Sequence, residues 1–225
     1  KLQIVLKYKK GEQMKKLTII LLITISFIVM NCSKKGDDLD FKTLTAEEIE
    51  QVKETVKNTP IEPVEENEYA IIETKFGKMT VEFYTEVAPN HCANFKRLAN
   101  AGYLSGTTFH RVIPGFVIQG GDINSRDDNK ANDGMGGPGY TVDAEFNKIH
   151  HEKGILSMAR AQDPNSAGSQ FFICAGDVGQ LDNQYTVFGK VVDGLDIIDS
   201  IVNVPRNGRD NPDESVYMKV KMVKK

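Results

Sequence analysis

The most distinctive run of the chain is Phe109-His110-Arg111-Val112-Ile113-Pro114-Gly115-Phe116-Val117-Ile118-Gln119-Gly120-Gly121-Asp122. Short apolar segments at Thr108 to Val112 and Phe116 to Gln119 predict two strands in it. A second run begins at Gly154-Ile155-Leu156-Ser157-Met158-Ala159-Arg160-Ala161 and continues to Gly168-Ser169-Gln170-Phe171-Phe172-Ile173. It predicts strands at Gly154 to Ala159 and at Gln170 to Ile173.

The sequence around these runs predicts more strands and only two helices in the main domain. A β-hairpin is expected where Tyr69 to Thr74 and Lys78 to Phe83 flank Lys75-Phe76-Gly77, and later strands are expected at Thr186 to Val191 and Val216 to Met222. Helices are expected from Pro89 to Gly102 and over Gly194 to Val202. Many strands with few helices favour an all-β barrel or sandwich, and a chain of 225 residues can bury one sizeable core.

The N-terminal sequence predicts export. Residues 1–13 precede Met14 and are interpreted as upstream or misassigned sequence, whereas Met14-Lys15-Lys16 and the apolar run to Met30 are typical of a signal peptide over 14–31. The run of about fourteen residues is shorter than the roughly 20 needed to span a bilayer. We therefore expect a cleaved leader rather than a permanent membrane helix.

Cys32 follows the apolar run directly, at the position where a bacterial lipoprotein signal resembling Ile28-Val29-Met30-Asn31-Cys32 would place a lipidated cysteine. Acyl chains there would hold the protein at a membrane facing the periplasm or cell surface. Asn31 departs from the small residue usual at that position. The alternative is an ordinary secretion signal with an incidental cysteine.

Residues 32–67 have the composition of a charged tether. Within it, Thr45-Ala46-Glu47-Glu48 matches a capping box, and Ile49, Val52 and Val56 follow at helical spacing until Pro60. The sequence predicts a short amphipathic helix here. Its two interpretations are a marginal helix in a spacer, which we favour, and a helix that docks on the domain or on a partner.

Charge and cysteine content exclude several classes of function. Residues 32–225 hold 22 basic and 30 acidic side chains, a net charge of about −8, and an acidic chain without a basic patch does not favour nucleic acid. Cys92 and Cys174 lie outside any metal-ligand spacing, so we expect two buried thiols, with a disulfide as the alternative.

The two distinctive runs together resemble the cyclophilins, and Val187-Phe188-Gly189-Lys190-Val191 matches a third block of that family. The resemblance covers residues 68–225 in the same order and spacing. It implies a mainly β fold, a closed eight-stranded antiparallel barrel capped by two α-helices, with the active site on its outer surface. It also implies peptidyl-prolyl cis/trans isomerase activity without a cofactor or metal.

The resemblance assigns the site residues. Arg111, Gln119 and Phe116 match catalytic positions: the arginine as the cation at the prolyl nitrogen, the glutamine to orient it, and the phenylalanine to hold the proline. The remaining matches are substrate-binding positions, namely His110, Val117, Ala159, Arg160, Ala161, Gln170, Phe172, Leu181 and Tyr185. Phe109 and Phe171 are predicted to be core residues. Many members have asparagine in place of Arg160, so we expect a shifted preference for substrate charge.

Other chemistry finds little support in the sequence. The histidines form no HExxH pair, His150 and His151 are adjacent and would point apart on a strand, and Ser157 and Ser169 lack the context of a nucleophile elbow. The expected partners are proline-containing unfolded or partly folded proteins, and a monomer is expected. A competing interpretation is a binding module with little turnover, which the departures at Val117 and Gln180 leave open.

Overall fold

The structure is a computed structural model that describes Leu39 and residues 41–225. Its helices are α1 (Ala46–Asn58), α2 (Pro89–Asn100) and α3 (Leu195–Val202). Its strands are β1 (Glu68–Thr74), β2 (Gly77–Phe83), β3 (Arg111–Ile113), β4 (Val117–Gly120), β5 (Ile155–Met158), β6 (Phe171–Cys174), β7 (Val187–Asp193) and β8 (Lys219–Lys224). The predicted signal peptide and Cys32 lie outside the described residues.

The eight strands form one antiparallel sheet in the order β3-β4-β6-β5-β7-β2-β1-β8. The sheet curls, but its hydrogen-bonded ladder ends at β3 and β8. Between these edges the backbone is linked by an isolated bridge, Thr108 to Tyr217, and by single bonds such as Phe109 N–H to the Val216 carbonyl at 3.0 Å. The expected closed barrel was therefore overstated, because β3 is only three residues long and irregular backbone replaces its continuation.

The strands separate two apolar clusters that lie on opposite faces of the sheet. The larger cluster contains Phe109 and Phe171, both fully buried, as predicted for core residues. Phe95 of α2 packs between strands there, with its ring centroid 5.5 Å from that of Phe171 and 5.8 Å from that of Phe188. The smaller cluster contains Phe172. Neighbouring residues of β6 thus enter different clusters because side chains alternate along a strand.

The two helices of the main domain begin and end close to the predicted positions. Pro89 is the first residue of α2, where its missing N–H costs nothing, and Gly102 follows the helix with φ of 70°. Gly194 is the N-cap of α3 with φ of 85°, a conformation that favours glycine. Cys92 and Cys174 are free buried thiols, and burial raises the pKa of each to about 12.

The N-terminal helix α1 docks on the domain instead of lying in a spacer. The Thr45 hydroxyl accepts the Glu48 N–H and the Glu48 carboxylate accepts the Thr45 N–H, which completes the predicted capping box. Ile49 and Val56 are buried in the larger cluster, so the favoured interpretation of a marginal spacer helix is wrong for this segment. The periodicity marks the apolar face, but only the folded domain supplies the surface that covers it.

Arg97 of α2 secures the end of α1. Its guanidinium donates to the carbonyls of Lys57 at 2.6 Å and Thr59 at 2.8 Å, which would otherwise lack partners at a helix C-terminus. The same guanidinium lies over the ring of Tyr140 at 5.1 Å. Residues 41–67 are thus part of the packed unit that begins at Leu39. None of the helices in the described part of the chain has the length and apolar character required to span a bilayer.

Candidate active site

A small notch of about 160 Å³ opens on the outer face of the sheet, above the smaller apolar cluster. It brings together residues from both distinctive runs of the sequence and from the loop before β7. Its lining consists of Arg111, Phe116, Val117, Gln119, Ala159, Arg160, Phe172, Leu181 and Tyr185. Most of the predicted site residues therefore converge on one place, although they come from separate parts of the chain.

The apolar walls of the notch are well ordered by packing. Phe172 is 5% exposed, and its ring meets that of Tyr185 edge to face with centroids 5.7 Å apart. Val117 is buried beside it, and Phe116, which precedes β4, is half-buried at the rim. Leu181 ends a 3-10 helix, Gly179–Leu181, and forms the remaining wall. The notch can hold a compact apolar ring, since its walls are aromatic and aliphatic.

The polar side of the notch is built from the β3–β4 hairpin. Arg111 and Gln119 are direct cross-strand partners, so their side chains share one face of the sheet. The guanidinium donates to the Gln119 amide oxygen over a long 3.4 Å and lies 5.8 Å from the Phe116 ring centroid. Gln119 in turn donates to the Gln170 amide oxygen at 3.0 Å. This relay orients the guanidinium while leaving most of its donors available.

A wider groove of about 690 Å³ adjoins the notch. Gln119, Ala159 and Arg160 belong to both, whereas the predicted residues Ala161 and Gln170 line the groove alone. Its other side is the glycine-rich loop over residues 134–139, which Gln170 holds by donating to the carbonyls of Gly134 at 3.0 Å and Gly136 at 2.9 Å. An extended chain entering the notch therefore has a groove in which to lie.

His110 is the predicted site residue that the structure places apart. It is 5% exposed and lines neither the notch nor the groove. Neither ring nitrogen has a hydrogen-bond partner within residues 41–225, and burial lowers the pKa of His110 to about 4. The ring is consequently neutral near pH 7 and packs behind the site instead of facing it.

Arg160 lies at the notch with four of its five guanidinium N–H donors already bonded. Its guanidinium donates to the carbonyl of Gln184 at 3.0 and 3.2 Å, to that of Ala161 at 2.9 Å and to that of Gln162 at 3.1 Å. It also lies over the ring of Tyr185 at 4.8 Å. These contacts argue against the expected role of Arg160 in reading substrate charge, because the side chain joins two loops of the protein.

The structure also shows a cluster that the sequence did not reveal. His150 and His151 precede β5, and the Nδ1 atoms of both lie within hydrogen-bond distance of Asp182, at 2.7 and 2.8 Å. The expectation that they point apart on a strand was wrong, since the segment containing them is not a strand. The sequence signal was the pair of histidines itself, together with an acidic residue directly after Leu181.

The structure gives no support to the other kinds of chemistry considered from the sequence, namely a serine nucleophile or a metal site within residues 41–225. Ser169 is buried and its hydroxyl donates to the Gly121 carbonyl at 2.8 Å. Over residues 41–225, no three or more His, Cys, Asp or Glu side chains are grouped so that they could hold a metal ion. The geometry therefore supports binding and electrostatic stabilisation, and it offers no exposed nucleophile at the notch.

Fold and notch together define a class of protein: a curled antiparallel β-sheet with a small, largely apolar notch beside a guanidinium on its outer surface. Residues 69–223 match the family model for cyclophilin type peptidyl-prolyl cis-trans isomerase/CLD. The chain belongs to the cyclophilin-type peptidyl-prolyl cis-trans isomerase family.

Individual relatives agree with this assignment. "Peptidyl-prolyl cis-trans isomerase B" of Bacillus subtilis is 47% identical over 129 residues, covering 56% of this chain and 85% of that protein. "Probable peptidyl-prolyl cis-trans isomerase" of Brucella abortus is 45% identical over 136 residues, covering 58% of this chain and 69% of that protein. A crystal structure of a Cryptosporidium parvum cyclophilin, solved in the presence of the dipeptide Ala-Pro, has 34% identity and a TM-score of 0.63, and the match covers 70% of this chain and 98% of that chain.

Proposed function

We propose that this protein accelerates rotation about X-Pro peptide bonds in protein substrates. The barrier to this rotation is ~18–20 kcal/mol because the planar amide is stabilised by resonance, and the uncatalysed step takes tens to hundreds of seconds. A catalyst has to bind the twisted amide better than either planar form. The notch and its guanidinium fit that requirement.

The position of Arg111 is the observation that carries the proposal. Twisting the amide removes its conjugation and leaves a lone pair on the prolyl nitrogen. A guanidinium at the rim of a notch that holds the proline ring faces this nitrogen and stabilises the lone pair as it forms. Arg111 is held beside Phe116 and Gln119 and has donors to spare, as the reaction demands.

The apolar walls bind the proline ring, and the groove binds the rest of the substrate chain. Phe172, Leu181 and Phe116 hold the proline ring still, while the residue before proline turns with its carbonyl. The neighbouring groove takes the extended substrate backbone, along Ala159 to Ala161 and Gln170. No covalent intermediate is needed, because the reaction breaks no bond.

The cellular setting is part of the proposal and rests on the sequence alone. A lysine-led apolar run over residues 14–31 followed by Cys32 supports export and lipid attachment, with the isomerase domain acting on folding proteins outside the cytoplasm. Mass spectrometry of the mature N-terminus tests this point. A diacylated or triacylated Cys32 is expected, and a chain that begins at Ser33 or retains Met14 would contradict lipidation.

Exchange NMR on a short X-Pro peptide tests the activity. The wild-type chain should broaden or exchange the cis and trans resonances at a rate far above the spontaneous one, and Arg111→Ala should lose most of this effect. Lys153→Ala is the matched control, because Lys153 is an exposed cation that pairs with Asp199 and does not line the notch. If wild type and Arg111→Ala leave the peptide at the same spontaneous rate, the binding-module interpretation is favoured over catalysis.

A further inference from the structure

One hydrogen-bond network beside the notch has no part in the chemistry above. The carboxylate of Asp182 accepts hydrogen bonds from both adjacent histidines. One oxygen accepts the backbone N–H of His151 at 2.8 Å and its ring Nδ1–H at 2.8 Å, and the other oxygen accepts Nδ1–H of His150 at 2.7 Å. A carboxylate has no proton to give, so each ring has a proton on Nδ1. Asp182 thereby fixes the orientation of both imidazoles.

The two ends of this network adjoin two walls of the notch, Leu181 and Phe172. Asp182 directly follows Leu181 and closes the 3-10 helix with a hydrogen bond from its N–H to the Gly179 carbonyl at 3.1 Å. The ring of His151 lies nearly parallel to that of Phe172, at an angle of 23° and a centroid distance of 6.0 Å. Leu181 adjoins Asp182 in the chain and Phe172 lies against a ring that Asp182 holds, so both walls are linked to one carboxylate.

The far side of His151 is also held. Its Nε2 lies 3.1 Å from the Ser157 hydroxyl oxygen, which also lies 2.9 Å from the Thr186 carbonyl oxygen, and with the ring proton on Nδ1 the hydroxyl donates to Nε2. Aspartate, histidine and serine thus stand in the order of a nucleophilic triad. Ser157 and His151 are fully buried, however, and no substrate can reach them. The arrangement holds a ring in place and does not perform acyl transfer.

The charge state of the carboxylate suits this role. The hydrogen bond from His150, followed by those from the backbone and ring of His151, keeps the pKa of Asp182 well below its usual range. Asp182 is therefore ionised at neutral pH and remains a strong acceptor for both rings. The hydrogen bonds survive at the surface because the carboxylate is largely covered, with 27% of its side chain exposed.

We propose that Asp182 is a positioning residue of the notch, which acts through His151 to set the separation between the Leu181 wall and the Phe172 wall. This inference rests on the proposed function, since it concerns how tightly the substrate ring is held. Its consequence is specificity for ring size. A notch with fixed walls admits the five-membered ring of proline and rejects a six-membered ring, whereas loose walls admit both.

The test compares two short peptides that differ only in containing proline or its six-membered homologue pipecolic acid. For each peptide, kcat/KM is measured by exchange NMR and affinity by titration, using the full chain. One extra methylene in a fitted apolar pocket is worth roughly tenfold or more in discrimination. We expect wild type to prefer proline by about that factor and Asp182→Asn to reduce the preference to within about threefold. Any loss of folded protein cancels in this ratio, so a merely structural role would leave it unchanged.

Asp177→Asn is the matched control. The Asp177 carboxylate also lies 3.1 Å from a ring nitrogen of His150, but within residues 41–225 the carboxylate that pairs with the His151 ring is that of Asp182, so the ratio should stay at the wild-type value. His151→Gln is the second variant, because it keeps the carboxylate and removes the ring that lies against Phe172. It should lower the preference as Asp182→Asn does, and it decides the matter if Asp182→Asn does not fold.

Failure of this inference is distinguishable from failure of the proposed function. A wild-type preference that persists in the folded variants would overturn the positioning role while leaving isomerisation intact. A wild-type chain that binds both peptides but accelerates neither would overturn the proposed function, and the affinity ratio would still decide the role of Asp182. A wild-type chain that binds neither peptide would overturn both.

Discussion

Two arginines line the same notch and differ in what their donors do. Arg111 makes a single long hydrogen bond, of 3.4 Å to Gln119, within the described part of the chain. Arg160 donates to three backbone carbonyls and lies over two aromatic rings, those of Tyr185 at 4.8 Å and Phe146 at 6.0 Å. Both residues were assigned to the site from the sequence.

This difference in hydrogen bonding distinguishes an arginine that can stabilise charge in the substrate from one that maintains the shape of the notch. A fixed donor stabilises a transition state only if its hydrogen-bonding capacity is free when the charge develops. Arg111 meets that condition, because its hydrogen bond to Gln119 orients the guanidinium and leaves its other N–H donors available. Most donors of Arg160 are bonded to the loop carbonyls, so we expect its contribution to be keeping the Tyr185 wall in place. The residue type alone does not distinguish these roles.

Arg111→Ala gives the strongest test of the comparison. It should lower kcat/KM about 10²- to 10³-fold, the usual loss for removing one oriented donor, with little change in thermal stability. Arg111→Lys should recover only part of the activity, since a compact ammonium lacks the planar fork. Measured rates and melting temperatures check both variants. A loss below about threefold would remove Arg111 from the chemistry.

Gln119→Leu tests whether the relay is needed. The variant keeps the volume of the side chain but removes both the acceptor for Arg111 and the donor to Gln170. We expect kcat/KM to fall about tenfold, as the guanidinium samples more orientations. Gln170→Leu is the companion variant, and it should affect the groove through Gly134 and Gly136 more than it affects the rate with a minimal dipeptide substrate. An unchanged rate for Gln119→Leu on that substrate would contradict the relay.

Arg160→Ala should affect stability more than activity, which is the opposite of the expectation for Arg111→Ala. We expect a loss of kcat/KM of only about threefold, and a loss of stability of about 1 kcal/mol from the broken hydrogen bonds. Denaturant unfolding and peptide exchange, measured on the same preparation, give the two values. A catalytic loss comparable to that of Arg111→Ala would show that Arg160 acts on the substrate.

Arg97→Ala extends the comparison to an arginine remote from the notch. Its guanidinium closes the end of α1 and lies over Tyr140, so its removal should lower stability by about 1–2 kcal/mol without changing kcat/KM on a minimal substrate. The melting temperature and the rate are again the observables. An unchanged melting temperature would show that the Arg97 contacts contribute little to stability.

The pH profile should show the smallest effect on activity. Burial holds the pKa of His110 at about 4, so this ring does not titrate near neutrality, and kcat/KM should be flat between about pH 6 and pH 9. A break near the ordinary histidine pKa of about 6.5 would instead indicate acid–base chemistry beside Arg111.

Stability should respond to pH where activity does not. Unfolded His110 titrates near the ordinary value of about 6.5, above its folded pKa, so the unfolded chain binds more protons as pH falls through that window. The contribution of His110 to stability is therefore complete above about pH 6.5 and is lost as pH falls towards 4. Thermal unfolding of wild type and His110→Gln at neutral and mildly acidic pH measures this difference.

Much of the fold could be read from local patterns. The hairpin, both helices of the main domain and the capping box of α1 follow from alternation, helical spacing and end signals, which act over a few residues. The incomplete closure of the sheet could not be read in this way, because it depends on how the short β3 meets β8 across the molecule. The docking of α1 likewise required a surface contributed by distant residues.

The sequence by itself determined which side chains are available for the site and which of them match the pattern of one family. Only the tertiary structure decided their roles. Phe171 and Phe172 are identical neighbours, yet one enters the core and the other forms the notch, because the sheet has two covered faces. Two arginines at one notch, and a carboxylate that joins two of its walls, acquire their roles from the partners that reach them. Some of those partners lie more than 20 residues away in the chain, as Gln184 does from Arg160 and His151 from Asp182, and local sequence does not encode such contacts.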